Sequence, residues 1–167
     1  WGDLTMANEL PIVENLKKEL AELQYELTRK IPKELQEAAS HGDLSENAEY
    51  DAAKHRQEYV RARIAQLEAR IHQLSLYNLS SVPRDVVGYG SKITVQDVDQ
   101  GTTTTFELVM PEEVNPTQGK ISVSSPIGRA LMGRQVGDEV EVQTPRGPRF
   151  YVITGLVTLH DREDLTF

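Results

Sequence analysis

The segment EAASHGDLSENAEYDAAK, residues 37–54, interrupts what otherwise reads as continuous helix. Gly42 suits the end of a helix that closes in a left-handed conformation. Asp43 suits the N-cap of a second helix, and Glu46, three residues on, completes the capping-box spacing. Acidic residues in a first turn also complement the helix dipole. The segment therefore predicts a turn between two helices. Capping explains the residue types at Asp43 and Glu46, yet Glu49 and Asp51 crowd the same short stretch.

Working outward, both flanks carry helical periodicity. Before the turn, apolar residues recur at Val13, Leu16, Leu20, Leu23, Leu27, Ile31, Leu35 and Ala38, with spacings of 3, 4, 3, 4, 4, 4 and 3. After it, Tyr50, Ala53, Gln57, Val60, Ile64, Leu67, Ile71 and Leu74 alternate spacings of 3 and 4 without a break. That alternation is a coiled-coil seam. Neither helix can bury its stripe alone, and a short link makes antiparallel pairing the simplest solution. The expectation is a coiled-coil hairpin over residues 6–79 with its tip at about 40–47. Residues Trp1–Thr5 carry no structural weight in it. Pro32 should kink the first helix or remove one backbone bond. A run of roughly 27 residues at ~1.5 Å each makes a rod of about 40 Å.

The second half changes period. VVGYGSKITVQDVD, TTTTFELVM, GDEVEVQTP and PRFYVITGL alternate and are rich in β-branched residues. Turn signals fall between them at Asp99-Gln100-Gly101, Asn115-Pro116 and Arg146-Gly147-Pro148. In SSPIGRALMG, Ser125 is a candidate N-cap with Pro126 at the first helical position. The reading is an α+β chain: a hairpin, a boundary near residues 78–85, then an antiparallel sheet with one short helix at about 84–160.

Composition narrows the function. The 167 residues carry a formal charge of −8, shared by both halves, which argues against duplex nucleic acid as the main partner. The absence of cysteine excludes disulfides and thiolate zinc sites and fits a reducing cytoplasm. No signal peptide and no apolar run near 18 residues is found, so no membrane span is expected.

The tip carboxylates admit a second reading. They sit at the end of a long rod, and magnesium commonly takes only one or two protein carboxylates, leaving waters and substrate phosphates to complete its shell. Asp43 and Glu46 could thus complete a metal site supplied mostly by another macromolecule.

HGDLSENAEYDAAK resembles the tip of the bacterial transcript cleavage factors, the Gre family of elongation factors. The wider pattern agrees through NLKKELAEL, VVGYGSKITV and ISVSSPIGRALMGRQVGDEVEV, and the similarity spans roughly residues 12 to 157. The resemblance implies a coiled-coil hairpin joined to a C-terminal domain of FK506-binding-protein-like (FKBP-like) fold. In such factors that domain docks at the rim of RNA polymerase's secondary channel. The hairpin enters the channel, and an acidic pair helps hold the second Mg2+ of the polymerase, which then cuts backtracked nascent RNA near its 3′ end. By this resemblance the factor is not an enzyme and holds no magnesium stably when free, and a monomer in the cytoplasm is expected. The acidic pair falls on Asp43 and Glu46. Asn47 and Tyr50 fall on neighbouring tip positions, Lys54 on a basic position near RNA, and Ser124, Ser125 and Pro126 on the polymerase-docking loop. The chain departs from the pattern at Ala39, at Ile31 before Pro32, and near Ile12, where a glycine is expected.

Other residues have competing readings. Tyr50 lies on the seam, so packing competes with stacking on a base. Lys54, Arg56, Arg61 and Arg63 could face RNA or form a solvated flank. His41 reads as polar surface, and His55, His72 and His160 show no metal-ligand spacing. Two alternatives to cleavage stand. One is a channel-binding homologue that inhibits polymerase; the other is a peptidyl-prolyl isomerase or chaperone, disfavoured by the few aromatics in the second half.

Overall fold

The structure is a computed structural model that describes residues 9–42 and 47–162. The chain divides into two compact units, Trp1–Leu79 and Ser80–Phe167.

The first unit is a helical hairpin. Helix α1 (Pro11–Tyr25) passes through a π-helical segment (Glu26–Lys30) into α2 (Ile31–Ala39), and α3 (Ala48–Ser75) returns alongside. Pro11 occupies the first turn of α1, where its missing N–H costs no bond. All sixteen stripe residues named above are buried or half-buried, with Val13, Ile31 and Val60 fully enclosed. Two charged pairs fix the direction of the legs. Arg56 meets Glu26 and Arg63 meets Glu19, so seven residues up one helix match seven down the other. The legs are antiparallel.

Pro32 acts through the segment before it. The Ile31 N–H donates to the Glu26 carbonyl, a five-residue step in place of the α-helical four. A proline ring crowds the carbonyl four residues back, and the wider turn relieves that crowding. The wide turn also takes up one extra residue. The run of three spacings of four, Leu23–Leu27–Ile31–Leu35, spans this segment. Strict alternation would be one residue shorter, and the π segment keeps the stripe on the seam despite the surplus.

The second unit is a five-stranded sheet in the order β3-β2-β1-β5-β4. Its strands are β1 (Lys92–Asp97), β2 (Thr103–Val109), β3 (Lys120–Ser122), β4 (Glu139–Thr144) and β5 (Gly147–Val157). β1 pairs antiparallel with β2 and β5, and β4 with β5. The expectation of a wholly antiparallel sheet needs one correction, because β3 lies parallel to β2. Two 3-10 turns, Pro111–Glu113 and Pro116–Gln118, carry the chain back so that β3 starts beside Glu107.

One face of this sheet forms the core from Ile93, Val95, Leu108, Val140 and Ile153, closed by Val87 and by Leu131 of α4 (Pro126–Leu131). As expected, Ser125 is the N-cap of α4, its Oγ accepting from the Gly128 N–H at 3.1 Å, and Pro126 begins the helix. Gly128 leaves no room for a side chain, since a Cβ there would stand 2.1 Å from the Ser122 carbonyl oxygen. On the other face, Arg162 donates to the Gly90 carbonyl at 3.0 Å and to the Glu107 carboxylate, with only 4% of its side chain exposed. Among the described residues no helix is long and apolar enough to cross a membrane.

Candidate functional site

The hairpin tip is built from the end of α2 and the start of α3. Helix α2 ends at Ala39 and the chain turns through Gly42, whose φ of +122° favours a residue without a side chain. The N-cap of α3 is Asn47 and not Asp43, which corrects the capping-box reading. Asn47 Oδ1 accepts from the Tyr50 N–H at 3.0 Å, the bond an N-cap makes three residues into its helix. The other end of the same amide donates to the Ala38 carbonyl at 2.5 Å. Asn47 therefore both starts α3 and ties it to the last turn of α2. Asp43 and Glu46 lie outside the described residues, and α3 draws its cap from neither.

Tyr50 is half-buried on the seam. Lys54 is exposed, its Nζ 3.3 Å from Gln57 Oε1. Beside the tip, Glu34, Glu37, His41, Glu49 and Arg56 border an open groove of about 410 Å3. His41 Nδ1 stands 3.6 Å from Glu49 Oε2, and both side chains are largely exposed. Glu34 and Glu37 were legible as an i, i+3 pair on one helix face, though they drew no attention in the sequence. Among the described residues no group of three or more His, Cys, Asp or Glu is placed to hold a metal ion.

The candidate basic stripe resolves into two braces. Arg56 Nε and Nη2 donate to the two oxygens of Glu26 at 2.6 and 2.9 Å. Arg63 holds Glu19 in the same two-point manner at 2.9 and 3.1 Å. The hydrogen bond from Arg56 is the chief cause that holds the Glu26 carboxyl below its ordinary value, and both guanidinium groups are pushed up by their partners. Arg56 also lies 5.2 Å over the Tyr59 ring. These contacts stiffen the rod below the tip.

In the sheet unit, the candidate docking residues crown α4. Ser124 and Pro126 are exposed, whereas Ser125 is half-buried by its capping role. Ser122 Oγ and Ser124 Oγ are 2.7 Å apart, and Ser125 Oγ also donates to the Ser122 carbonyl at 2.7 Å. The loop is thus held by its own hydroxyls, with Ser124 and Pro126 facing outward.

Comparison with known proteins covers both units. Residues 12–75 match the family described as "Transcription elongation factor, N-terminal", and residues 82–156 match "Transcription elongation factor, GreA/GreB, C-term". The transcription elongation factor GreA of Syntrophotalea carbinolica is 38% identical over 155 residues, 90% of this chain and 98% of that protein. GreA of Desulfovibrio desulfuricans is 42% identical over 141 residues, covering 84% and 86% of the two chains. Among solved structures, GreA factor homolog 1 of Thermus thermophilus is 31% identical over 86% of this chain and 93% of that one, with a TM-score of 0.40.

Proposed function

Because the chain belongs to the GreA/GreB family of transcription elongation factors, we propose that Asp43 and Glu46 act at the hairpin tip on a backtracked RNA polymerase. The protein is a transcript cleavage factor that acts on RNA polymerase and stimulates the polymerase's activity without being an enzyme itself. In this reading the hairpin is an antiparallel coiled coil that enters the secondary channel. The sheet unit, of FKBP-like fold, docks outside through Ser124, Ser125 and Pro126. Its place of action is the cytoplasm, on the nascent RNA 3′ end, and the free protein is a monomer.

The observation that carries this reading is the cap at Asn47. The start of α3 takes its cap from Asn47 and so does not require a carboxylate at position 43 or 46 for that purpose. The 28-residue α3, at ~1.5 Å per residue, supports that tip over roughly 40 Å. The Arg56–Glu26 and Arg63–Glu19 braces resist splaying along the way.

Asp43 and Glu46 would supply oxygen ligands to a Mg2+ shared with the polymerase, the donor type that this ion prefers. When bound, such an ion activates a water and stabilises an in-line phosphodiester transition state. This chain's part is to present two charges on a stiff support, so that little reorganisation is needed as charge develops. Tyr50 and Lys54 sit one and two turns into α3, within the same tip region, for contact with RNA; Asn47 acts there through its clamp.

The test uses cognate polymerase stalled on a backtracked complex with 3′-extended RNA and magnesium. Wild type should shorten the RNA faster than polymerase alone. Asp43→Asn and Glu46→Gln should each lose about 10–100-fold, the scale expected when support for a bound metal is removed. Wild type no faster than polymerase alone overturns the reading. Slowed elongation without cleavage would identify the inhibitory homologue instead.

A further inference from the structure

The sheet order leaves β4 at one edge, bonded to β5 on one side alone. Antiparallel strands exchange backbone bonds at alternate residue pairs. The Ile153 N–H donates to the Asp138 carbonyl at 3.0 Å, and the Thr144–Gly147 pair closes the hairpin, which fixes the alternation. Asp138, Val140, Val142 and Thr144 therefore turn their backbones to β5. Glu139, Glu141 and Gln143 turn three N–H and three C=O groups the other way. Among the described residues those groups have no hydrogen-bond partner.

The side chains alternate with the backbone. Val140 and Val142 are buried in the core face, whereas Glu139, Glu141 and Gln143 are exposed on the other. Gln143 Nε2 donates to Glu141 Oε1 at 2.8 Å and orders that carboxylate along the strand. Among the described residues neither glutamate is in an ion pair. Asp138 adds a negative charge at one end of the strand, and Arg146 stands in the turn at the other. Such an edge is a template for another strand. A second copy of this chain fits it badly. Two β4 strands about a two-fold axis, in the register that uses all three outward residues, would set Glu141 against Glu141 of the copy. Like charges directly opposite are destabilising in a sheet.

We propose that the β4 edge binds an extended protein segment carrying Lys or Arg at every second position. The segment pairs antiparallel with β4, its basic residues opposite Glu139 and Glu141. Residues directly opposite share a face of the sheet, so each basic side chain meets a glutamate while the same residue's N–H and C=O close the backbone bonds. Main-chain bonds supply affinity and the two carboxylates select the sequence. The intervening residues fall beside Val140 and Val142 and should be apolar. The edge belongs to the sheet unit alone and does not rest on the polymerase reading.

The test titrates the end-blocked peptide KVKVK into the full chain at low salt and follows amide hydrogen exchange by NMR. Saturable binding is expected, with new protection at the Glu139, Glu141 and Gln143 amides. N-methylation of the peptide's lysines keeps every charge but removes the donors, and should weaken binding by an order of magnitude or more. Glu139→Gln/Glu141→Gln should weaken it about three- to tenfold through the lost cross-strand pairs. The charge-matched control Glu14→Gln/Glu22→Gln, on the hairpin, should bind as wild type. The proposal is overturned by no saturable binding, by protection confined to other amides, or by unchanged affinity in Glu139→Gln/Glu141→Gln. Equal binding of the N-methylated peptide, or an equal loss in the control, overturns it in favour of charge attraction without strand pairing. Concentration-dependent dimerisation of wild type that protects the same three amides overturns it in favour of a second copy.

Discussion

Arg56 grips Glu26 through two parallel hydrogen bonds across the hairpin, and Glu26 is also the residue whose carbonyl opens the π segment. The brace therefore sits where the backbone ladder departs from α-helical spacing. The side chain of Glu26 is 18% exposed and that of Arg56 46%, so solvent screens the pair and its worth is modest.

Replacing Glu26 by Gln keeps Arg56 over Tyr59 but removes the ion pair. The expected loss is about 0.2–1 kcal/mol at neutral pH. The Glu26 pKa is lowered in the fold, so its contribution is present above the ordinary carboxylate range. It is lost as pH falls through the lowered value. Thermal melts at pH 7 and pH 3 check this: the gap between wild type and Glu26→Gln should close in acid.

Asn47 separates cap from clamp. Asn47→Asp keeps an acceptor for the Tyr50 N–H but loses the donor to Ala38 O, whereas Asn47→Ala loses both. The alanine variant should cost about 1 kcal/mol or more of hairpin stability. The aspartate variant should fall between alanine and wild type. Helical circular dichroism followed through a urea titration would rank the three, and an unchanged midpoint for Asn47→Ala would refute the clamp.

The seam shows what periodicity can and cannot reveal. Burial of Val13, Ile31, Val60 and Leu67 followed from spacing alone, because one helical face must be covered. The run of fours around Leu27 was visible too, but its meaning as a π segment depends on a backbone choice near Pro32 that spacing does not encode. Asp43 and Asn47 are both good caps, and the sequence rule picked the one with a glutamate three residues on. The structure picked Asn47, which also reaches Ala38 across the turn. The parallel placement of β3 and the pairing of Arg162 with Glu107, 55 residues apart, are long-range outcomes with no local signature. The candidate site was legible as a motif, and its supporting braces were legible only as interleaved charge.

Gly128→Ala should be among the more damaging small substitutions. Its Cβ would meet backbone, the Ser122 carbonyl at 2.1 Å, and backbone cannot rotate away as a side chain can. A loss of about 1–3 kcal/mol is expected from such overpacking. Ser125→Ala should cost about 1 kcal/mol through its cap. Denaturant unfolding followed by Tyr fluorescence compares the two, with Gly128→Ala expected to be the lower.

Removing Arg162 leaves the Glu107 carboxylate, 11% exposed, without the cation it holds. Breaking a buried pair costs about 3–5 kcal/mol, and Lys92 and Lys120, paired across the strands with Glu107, should keep Arg162→Met at the low end. Adding Glu107→Gln should recover part of the loss. A double-mutant cycle in thermal unfolding measures the coupling, and strict additivity would show that the pair contributes nothing.

The surplus residue in the π segment makes the two legs of the hairpin unequal in their tolerance of length changes. Deleting a residue elsewhere in α1 or α3 would rotate everything beyond it by ~100° and turn a buried stripe toward water. Deleting one between Leu27 and Ile31 would change a spacing of four to three and leave the stripe alternating 3 and 4 throughout. Residues 28–30, within the π segment, are thus the one stretch of the described hairpin where the chain can shed a residue and still close the same seam.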